Sequence, residues 1–240
     1  GAVVPCAKAK VGAIATQAWA NASYGPLGIK MLEKGLSAKE TLQKLLADDD
    51  HPEVRQAAVV DAKGLVAAHT GSECLEWAGH VTGKGYSCQG NILASKEVVQ
   101  KMGRKFEFTR GDLAEKLVAA LIGGDEAGGD ARGRQSAALL VVRKGFGRAG
   151  YGDRYIDLRV EDHSNPIEEL KRLLTLHRVY SLIDESEDKL TKGDLEQASS
   201  TIKKAIELNP KVDDAHIDLG ILCLKMGKRK EAVKAFKKAL

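Results

Sequence analysis

The sequence has few cysteines and no long apolar run, and each shortage excludes a class of protein. The four cysteines include no Cys-x-x-Cys pair, so neither a disulfide framework nor a zinc site is predicted. Buried free thiols are expected, although Cys74 and Cys88 could face one another across neighbouring strands, and the reducing cytoplasm is the expected compartment. No segment reaches the ~18 apolar residues of a membrane span, and no charged-then-apolar leader is present.

The chain also lacks a strong charge of one sign. Its 37 basic and 33 acidic side chains leave a formal charge of +4, which is not concentrated in one half. Nucleic acids and membrane surfaces usually need a basic face, so neither is expected as a partner. The last 16 residues are the exception, with seven Lys or Arg against Glu231 alone. There a solvated helix face is favoured over an anion-binding surface.

Common catalytic and metal-binding motifs are absent as well. Neither His-x-x-x-His nor Gly-x-Ser-x-Gly occurs, which excludes the zinc hydrolase and α/β-hydrolase patterns. His69 and His80 are interpreted as sheet residues rather than ligands. The Gly83-Lys84-Gly85 segment is too short for a phosphate-binding loop and is interpreted as a turn. We therefore predict no metal site and no cofactor.

The order of predicted elements indicates an α+β fold. Apolar and β-branched runs predict strands, whereas apolar residues at helical spacing predict helices. Ser37 followed by Glu40 forms a capping box that starts one of these helices. The order of strands, paired helices and strands again favours an α+β or layered α/β/α core over a βαβ repeat. The predicted strands cover 11–18, 55–62, 65–70, 80–89, 137–143 and 155–160, and the predicted helices cover 26–35, 37–47, 95–107 and 112–122.

The tail, from Pro166 onward, is helical and carries an internal repeat with a period of 34 residues. Its small residues and Phe236 match the tetratricopeptide pattern. Two repeats are fewer than such an array needs for independent stability, so we expect the pair to dock on the first domain or on another subunit of a homo-oligomer. The predicted domains are therefore residues 1–165 and 166–240. The repeating positions are Gly193, Ala198, Ile202, Ala205 and Pro210, followed by Gly227, Ala232, Phe236 and Ala239.

A glycine-rich loop at 127–136 precedes the apolar strand at 137–142. Glycine lets the backbone approach a ligand, and loops at strand ends commonly carry functional groups. The loop is therefore a candidate site. The alternative is a tight helix-to-strand turn whose Asp130 and arginines pair only with each other. The polar residues of the loop are Asp130, Arg132, Arg134, Gln135 and Ser136.

Three further polar clusters stand at strand ends. The segment 16–25 contains Thr16, Gln17, Asn21, Ser23 and Tyr24. The second cluster is Gln89-Gly90-Asn91, and the third is Asp162-His163. His163 is interpreted either as a general base oriented by a carboxylate or as a helix-capping residue ahead of Pro166. Both interpretations stay open at this point.

Together these motifs resemble one family, called domain of unknown function 1028. The resemblance covers residues 1 to about 180 and includes Ala15–Asn21, Ser23–Gly25, Gln89–Ala94, Gly128–Ala137 and Leu158–His163. The family is assigned to the N-terminal-nucleophile (Ntn) hydrolase-like superfamily. This resemblance implies a four-layer αββα sandwich, followed here by the small all-α tetratricopeptide-like domain.

The resemblance also implies a particular kind of nucleophile. In Ntn hydrolases the first residue of the mature chain attacks, and its own α-amino group, with a pKa near ~7.7–8, is the base. Gly1 has no side chain for this role, and family members begin with a further pair of strands. The chain starts without methionine, so we interpret it as a truncated or processed product whose nucleophile lies in an absent segment. Thr16, Ser23 and Cys6 are the nearest candidates within the chain.

The remaining motif residues would then support catalysis and substrate binding. Gln89 and Asn91 are expected to donate N–H groups to an oxyanion. Arg132 or Arg134 is expected to hold a substrate carboxylate, with Asp130 fixing the arginine. His163 or Asp162 would transfer a proton, and Thr16 completes the catalytic set. The other expected substrate-binding residues are Gln17, Asn21, Tyr24 and Gln135.

Two functions follow from these expectations. The first is an amidohydrolase acting on a small amide or peptide-like substrate. The alternative is a non-catalytic scaffold whose helical tail recognises a protein partner. Convergence of 16–24, 89–91 and 130–136 around one polar cavity would favour the enzyme, whereas scattering of these segments would favour the scaffold.

Overall fold

The computed structural model describes residues 4–147 and 150–240. It divides into two compact units, Gly1–Leu170 and Lys171–Leu240. The predicted boundary, between 165 and 166, falls where a long helix begins at Pro166.

The first unit mixes strands and helices, and the chain after it is helical, so the α+β class is confirmed with a C-terminal all-helical region. A 3₁₀ turn, Pro52–Val54, accompanies the regular elements. In chain order these are β1 (Pro5–Lys8), β2 (Gly12–Ala18), α1 (Tyr24–Glu33), α2 (Ala38–Ala47), β3 (Arg55–Asp61), β4 (Val66–Thr70), β5 (Gly79–Gly83), β6 (Tyr86–Gly90), α3 (Glu97–Phe108), α4 (Leu113–Glu126), β7 (Ala137–Val142), β8 (Arg154–Val160), α5 (Pro166–Thr191), α6 (Leu195–Leu208), α7 (Asp213–Lys225) and α8 (Arg229–Phe236).

The strands form one antiparallel sheet and two hairpins. The sheet has the order β1-β2-β3-β4, and the hairpins are β5–β6 and β7–β8. The predicted single strand at 80–89 is wrong, because the chain reverses at Lys84-Gly85 between β5 and β6. Gly85 has a φ of 79°, a conformation that glycine adopts without the steric penalty of a Cβ atom.

Helices cover the sheet and the hairpins separately. α1 and α2 pack on the sheet, where Ile14, Leu42 and Val59 belong to one buried core. The predicted capping box is confirmed, because Ser37 and Glu40 exchange both of its hydrogen bonds at the start of α2. α3 and α4 pack on each other, with α3 against β5 and β6 and α4 against β7. The hairpins also contact the sheet, through β1, β3 and β4. The four-layer sandwich stays a prediction.

The second unit is built on close helix packing through small residues. Ala198, Ile202 and Ala215 are fully buried in its core. Gly220 in α7 lies so close to the Phe236 ring that a Cβ atom at position 220 would stand 2.4 Å from it. No helix among the described residues is long and apolar enough to cross a membrane.

Candidate functional site

A cavity of about 1120 Å³ in the first unit is lined by three of the four predicted segments and by Asp162 of the fourth. The end of β2, the end of β6 and the glycine-rich loop before β7 meet there. Apolar side chains of the helices, Val98, Met102 and Leu121, form another part of the wall. The cavity therefore combines an apolar surface with converging polar groups, which is typical of small-molecule sites. The predicted site residues that line it are Gln17, Gln89, Asn91, Asp130, Arg132, Arg134 and Gln135.

Two residues with unusual backbone conformations lie in the wall. Ala18 has a φ of 59° and Ile92 a φ of 53°. For β-branched isoleucine this is a genuine outlier, and it persists only where the surroundings fix it. The Ile92 N–H donates to the Leu75 carbonyl at 3.0 Å, and its own carbonyl accepts from the Ala131 N–H at 2.8 Å. The segment after β6 is thus held on both sides, and strain of this kind is often found at binding sites.

Both arginines of the loop are paired with carboxylates, each through one edge of the guanidinium. Arg132 donates from Nε and Nη2 to Asp130 at 2.9 and 2.7 Å. Arg134 donates in the same way to Asp125 at 2.6 and 2.8 Å. The Arg132 side chain lowers the pKa of Asp130, which in turn raises that of Arg132. Arg132 can therefore keep its pairing with Asp130 and still bind a ligand, because its side chain stays 68% exposed.

Gln89 brings an unsatisfied donor to the cavity wall. Its Oε1 accepts a hydrogen bond from the Ser87 hydroxyl at 2.9 Å. Its Nε2 is buried and has no hydrogen-bond partner among the described residues. A buried N–H left without an acceptor costs free energy, so rotation of the Gln89 side chain that brought Nε2 to a carbonyl oxygen in the cavity would be favourable. This placement suits the expected oxyanion donor.

Asn91 is held by a residue that sequence reasoning missed. Its Nδ2 donates to Oε1 of Gln56 at 3.1 Å. Gln56 is fully buried, and its Nε2 donates to the Gly90 carbonyl at 2.8 Å and to the Gly79 carbonyl at 3.2 Å. It therefore ties the four-stranded sheet to both strands of the β5–β6 hairpin. The available signal was a glutamine at the start of an otherwise apolar strand, where a buried polar side chain must find partners.

Thr16, Asn21 and Tyr24 are not brought to the cavity. Successive side chains of a strand point to opposite faces, and Gln17 takes the cavity face of β2. Thr16 therefore lies on the other face with Ile14, where it is 1% exposed and its hydroxyl has no partner among the described residues. Asn21 lies in the turn before α1, and Tyr24 is the first residue of that helix. Both donate hydrogen bonds to a buried carboxylate instead.

That carboxylate belongs to Asp49 and is saturated with donors. It accepts from Asn21 Nδ2 at 2.8 Å, from the Tyr24 hydroxyl at 2.9 Å and from Arg55 Nε at 3.0 Å. Its other oxygen accepts from Arg55 Nη2 at 3.1 Å and from the His51 N–H at 2.9 Å. The Arg55 guanidinium holds the pKa of Asp49 well below its usual range. We call these residues the Asp49 network; they join the β2–α1 turn to the start of β3.

His163 also lies outside the cavity wall, whereas its neighbour Asp162 is part of it. The exposed ring of His163 accepts at Nδ1 from the Asn165 N–H at 2.9 Å, just before α5 begins at Pro166. Its backbone N–H donates to the Gln135 carbonyl at 2.8 Å. These contacts favour the capping interpretation over the general base.

The other candidate nucleophiles are occupied or protected. Ser23 donates its hydroxyl hydrogen bond to Asn21 at 2.7 Å. Burial raises the pKa of the Cys6 thiol, which disfavours the reactive thiolate. All four cysteines are free thiols. Among the described residues of the cavity wall, Ser136 is the one that carries a hydroxyl.

Comparisons with known proteins agree with the motifs. Residues 1–170 match the model of a family of unknown function, DUF1028, and residues 189–240 match a tetratricopeptide repeat model. A crystal structure of a Silicibacter pomeroyi protein with the same family model is similar at 28% identity and a TM-score of 0.64, over 72% of this chain and 75% of that chain. No curated protein matches. The predicted family and repeat are confirmed, and the Ntn hydrolase link stays a prediction.

Proposed function

The chain belongs to the DUF1028 family, and from that premise we propose that its first unit is an amidohydrolase that binds a small amide- or peptide-like substrate in the cavity. The observation that carries the proposal is the convergence of the strand-end segments on one cavity, whose wall includes Gln89 with its unsatisfied amide. Ligand sites commonly combine an apolar pocket with a few converging polar groups.

Charge on the loop suggests how the substrate is held. Arg132 uses Nε and Nη2 for Asp130, which leaves Nη1 and one further N–H of Nη2 directed away from that carboxylate. Two such N–H groups match a carboxylate in a bidentate contact. Arg134 is fixed in the same way by Asp125. We therefore propose a substrate that carries a carboxylate beside the amide.

The amide carbonyl is placed at Gln89. Its Nε2 donates to the oxygen that gains negative charge when the carbonyl carbon is attacked. Asn91, held by Gln56, lies beside it in the same wall. The Ile92 backbone, fixed between Leu75 and Ala131, keeps this segment in position before the substrate arrives.

Ser136 is the proposed nucleophile. The pairing of Ala137 with Val160 places Ser136 and Asp162 at the same end of the β7–β8 hairpin. In the reaction the Ser136 oxygen attacks the amide carbon, and Asp162 takes up the hydroxyl proton. The C–N bond then breaks, and the amine leaves with that proton. Water hydrolyses the resulting ester, which restores the hydroxyl.

The layers of the first unit support the expected αββα sandwich, which we propose as its architecture. α1 and α2 cover one side of the four-stranded sheet, and both hairpins contact strands of that sheet. The α3–α4 pair contacts the hairpins. This order corresponds to helices, sheet, strands and helices.

The proposal is tested by incubating the chain with a panel of N-acyl amino acids and dipeptides and measuring the amine released. We expect release by the unaltered chain and its loss in Asn91→Ala, Arg132→Ala and Ser136→Ala, at nearly unchanged melting temperature. Arg154→Ala is the matched control, since Arg154 is 66% exposed and pairs with Asp157 outside the cavity. Absence of release from every substrate, or equal loss in the control, would contradict the proposal.

A second function is favoured for the tail. The tetratricopeptide match at 189–240 gives this region the potential for protein interaction. Its described helices expose Ile217, Ile221 and Leu224 on α7 rather than burying them. We propose that the second unit binds a protein partner and contributes to a homo-oligomer.

A further inference from the structure

One face of α7 is apolar and uncovered within the second unit. Ile217, Ile221 and Leu224 are 40%, 39% and 52% exposed. Their spacing of four and three residues puts them on one side of the helix. The opposite side is already used, because Ala215, Leu222 and Cys223 are buried. The exposed side chains are therefore available to a partner.

Carboxylates flank this apolar stripe. Asp214 and Asp218 lie on α7, and Asp214 accepts from the Tyr180 hydroxyl at 3.2 Å. Burial, together with the negative charges of Glu187 and Asp214, raises the pKa of Asp218. Neither Asp218 nor Glu187 makes an ion pair with any described residue. A cation brought to this face would relieve the repulsion, so the face selects a basic partner.

The outer face of α8 has the opposite charge. One side of α8 carries four exposed residues, of which the last is the C-cap of the helix: Lys230, Val233, Lys234 and Lys237. Val233 is 55% exposed. Ala232 and Ala235 on the other side are buried. None of these three lysines makes an ion pair with a described residue.

The two faces have the same spacing with opposite charge. Counted from its first residue, the α7 face has residues at offsets of 0, 3, 4 and 7; these are Asp214, Ile217, Asp218 and Ile221. The four residues of the α8 face have the same offsets. We propose that a second copy of this chain docks its α8 face on the α7 face. The chain carries both complementary surfaces, which is why the second copy is the chosen occupant.

This contact rests on the interaction role proposed for the tail and is independent of the amidohydrolase proposal. Two different patches meet in it, so a pair keeps one free α7 face on one copy and one free α8 face on the other, and association continues as concentration rises. The attraction is between exposed charges, so added salt weakens it.

Sedimentation velocity of the 1–240 chain over a range of concentration and salt tests the proposal. The unaltered chain is expected to self-associate at low salt and to dissociate as salt rises. Two double variants should each weaken association by at least about tenfold, with helix content unchanged by circular dichroism. One is Asp214→Lys with Asp218→Lys, and the other is Lys230→Glu with Lys234→Glu. Lys203→Glu with Lys204→Glu, on exposed positions of α6, has the same charge change as the Lys230→Glu, Lys234→Glu variant; it is the control for that variant and should associate normally.

Mixing the two altered chains is the decisive step. The acidic face of one and the basic face of the other remain intact, and their two reversed faces also carry opposite charges, so the mixture should associate although neither chain does so alone. A monomeric mixture, or an unaltered chain that stays monomeric throughout, overturns the proposal. A chain that stays monomeric yet binds a synthetic lysine-rich peptide overturns the self-contact and assigns the α7 face to a foreign basic partner.

Discussion

The first unit contains two polar clusters that differ in how completely their groups are bonded. In the Asp49 network, both carboxylate oxygens accept hydrogen bonds from Asn21, Tyr24, His51 and Arg55. In the cavity, Gln89 keeps a buried donor without a partner, and Arg132 stays largely exposed. A saturated cluster stabilises the fold, whereas an unsaturated one has groups left for a ligand.

The comparison separates residues that look equivalent in the sequence. Asn21 and Gln17 stand four residues apart in the same motif, yet one is bonded to Asp49 and the other faces the cavity. Membership of a motif therefore does not establish a functional role. Whether each donor or acceptor already has a hydrogen-bond partner is the better guide to its role. Substitutions in the Asp49 network and in the cavity wall can test this difference between the two clusters.

The largest loss of stability is expected at Asp49. Asp49→Ala leaves Arg55 with a largely buried and unpaired charge, since the Arg55 side chain is only 16% exposed. Breaking such a pair from one side costs about 4 kcal/mol of unfolding free energy. Urea denaturation measures this loss, and Asp50→Ala, at an exposed neighbouring position, is the control. An equal and small loss in both variants would mean that the network is not structural.

The pH dependence of stability should follow the same carboxylate. Arg55 holds the pKa of Asp49 below its ordinary value of 3.8, so the unfolded chain takes up the proton first as pH falls. The stabilisation is therefore present above pH 3.8 and is lost below it. Unfolding free energies of the unaltered chain and Asp49→Asn should differ by a constant amount near neutral pH and converge in acid. A difference in unfolding free energy that widens in acid would contradict this prediction.

An intermediate effect is expected at Gln56, which belongs to the core and also reaches the cavity. Gln56→Leu leaves the Gly79 and Gly90 carbonyls and Asn91 without their partner. The expected cost is about 2 kcal/mol, together with weaker substrate binding, because Asn91 loses its anchor. Gln43→Leu, on the exposed side of α2, is the matched control for denaturation and binding. A destabilised variant that binds normally would show that Gln56 does not position the site.

The smallest effect is expected at Thr16. Thr16→Val keeps the shape of the side chain and removes a buried hydroxyl that has no partner among the described residues. Stability should stay the same or rise by about 1 kcal/mol, and amine release should not change. A folded variant that no longer releases amine would restore Thr16 as a catalytic residue.

Local signals predict individual helices and turns, because these depend on neighbours in the chain. The Ser37–Glu40 capping box is of this kind, because its two residues are three positions apart. The sequence also indicates a turn at Gly83-Lys84-Gly85, but its apolar pattern predicts one strand at 80–89 where the structure has β5 and β6. The partners of Tyr24 and Gln56 lie as far as 25 and 35 residues away in the sequence. Only the folded chain shows which of these polar groups are satisfied.

The most direct test of the central claim is a titration with N-acetylglycine followed by backbone amide NMR. This probe carries an amide and a carboxylate, the two groups for which the cavity offers donors. Shift changes are expected only in 89–92 and 129–136, with 21–24 and 49–55 unaffected. Changes centred on the Asp49 network, or none at saturating N-acetylglycine, would contradict it.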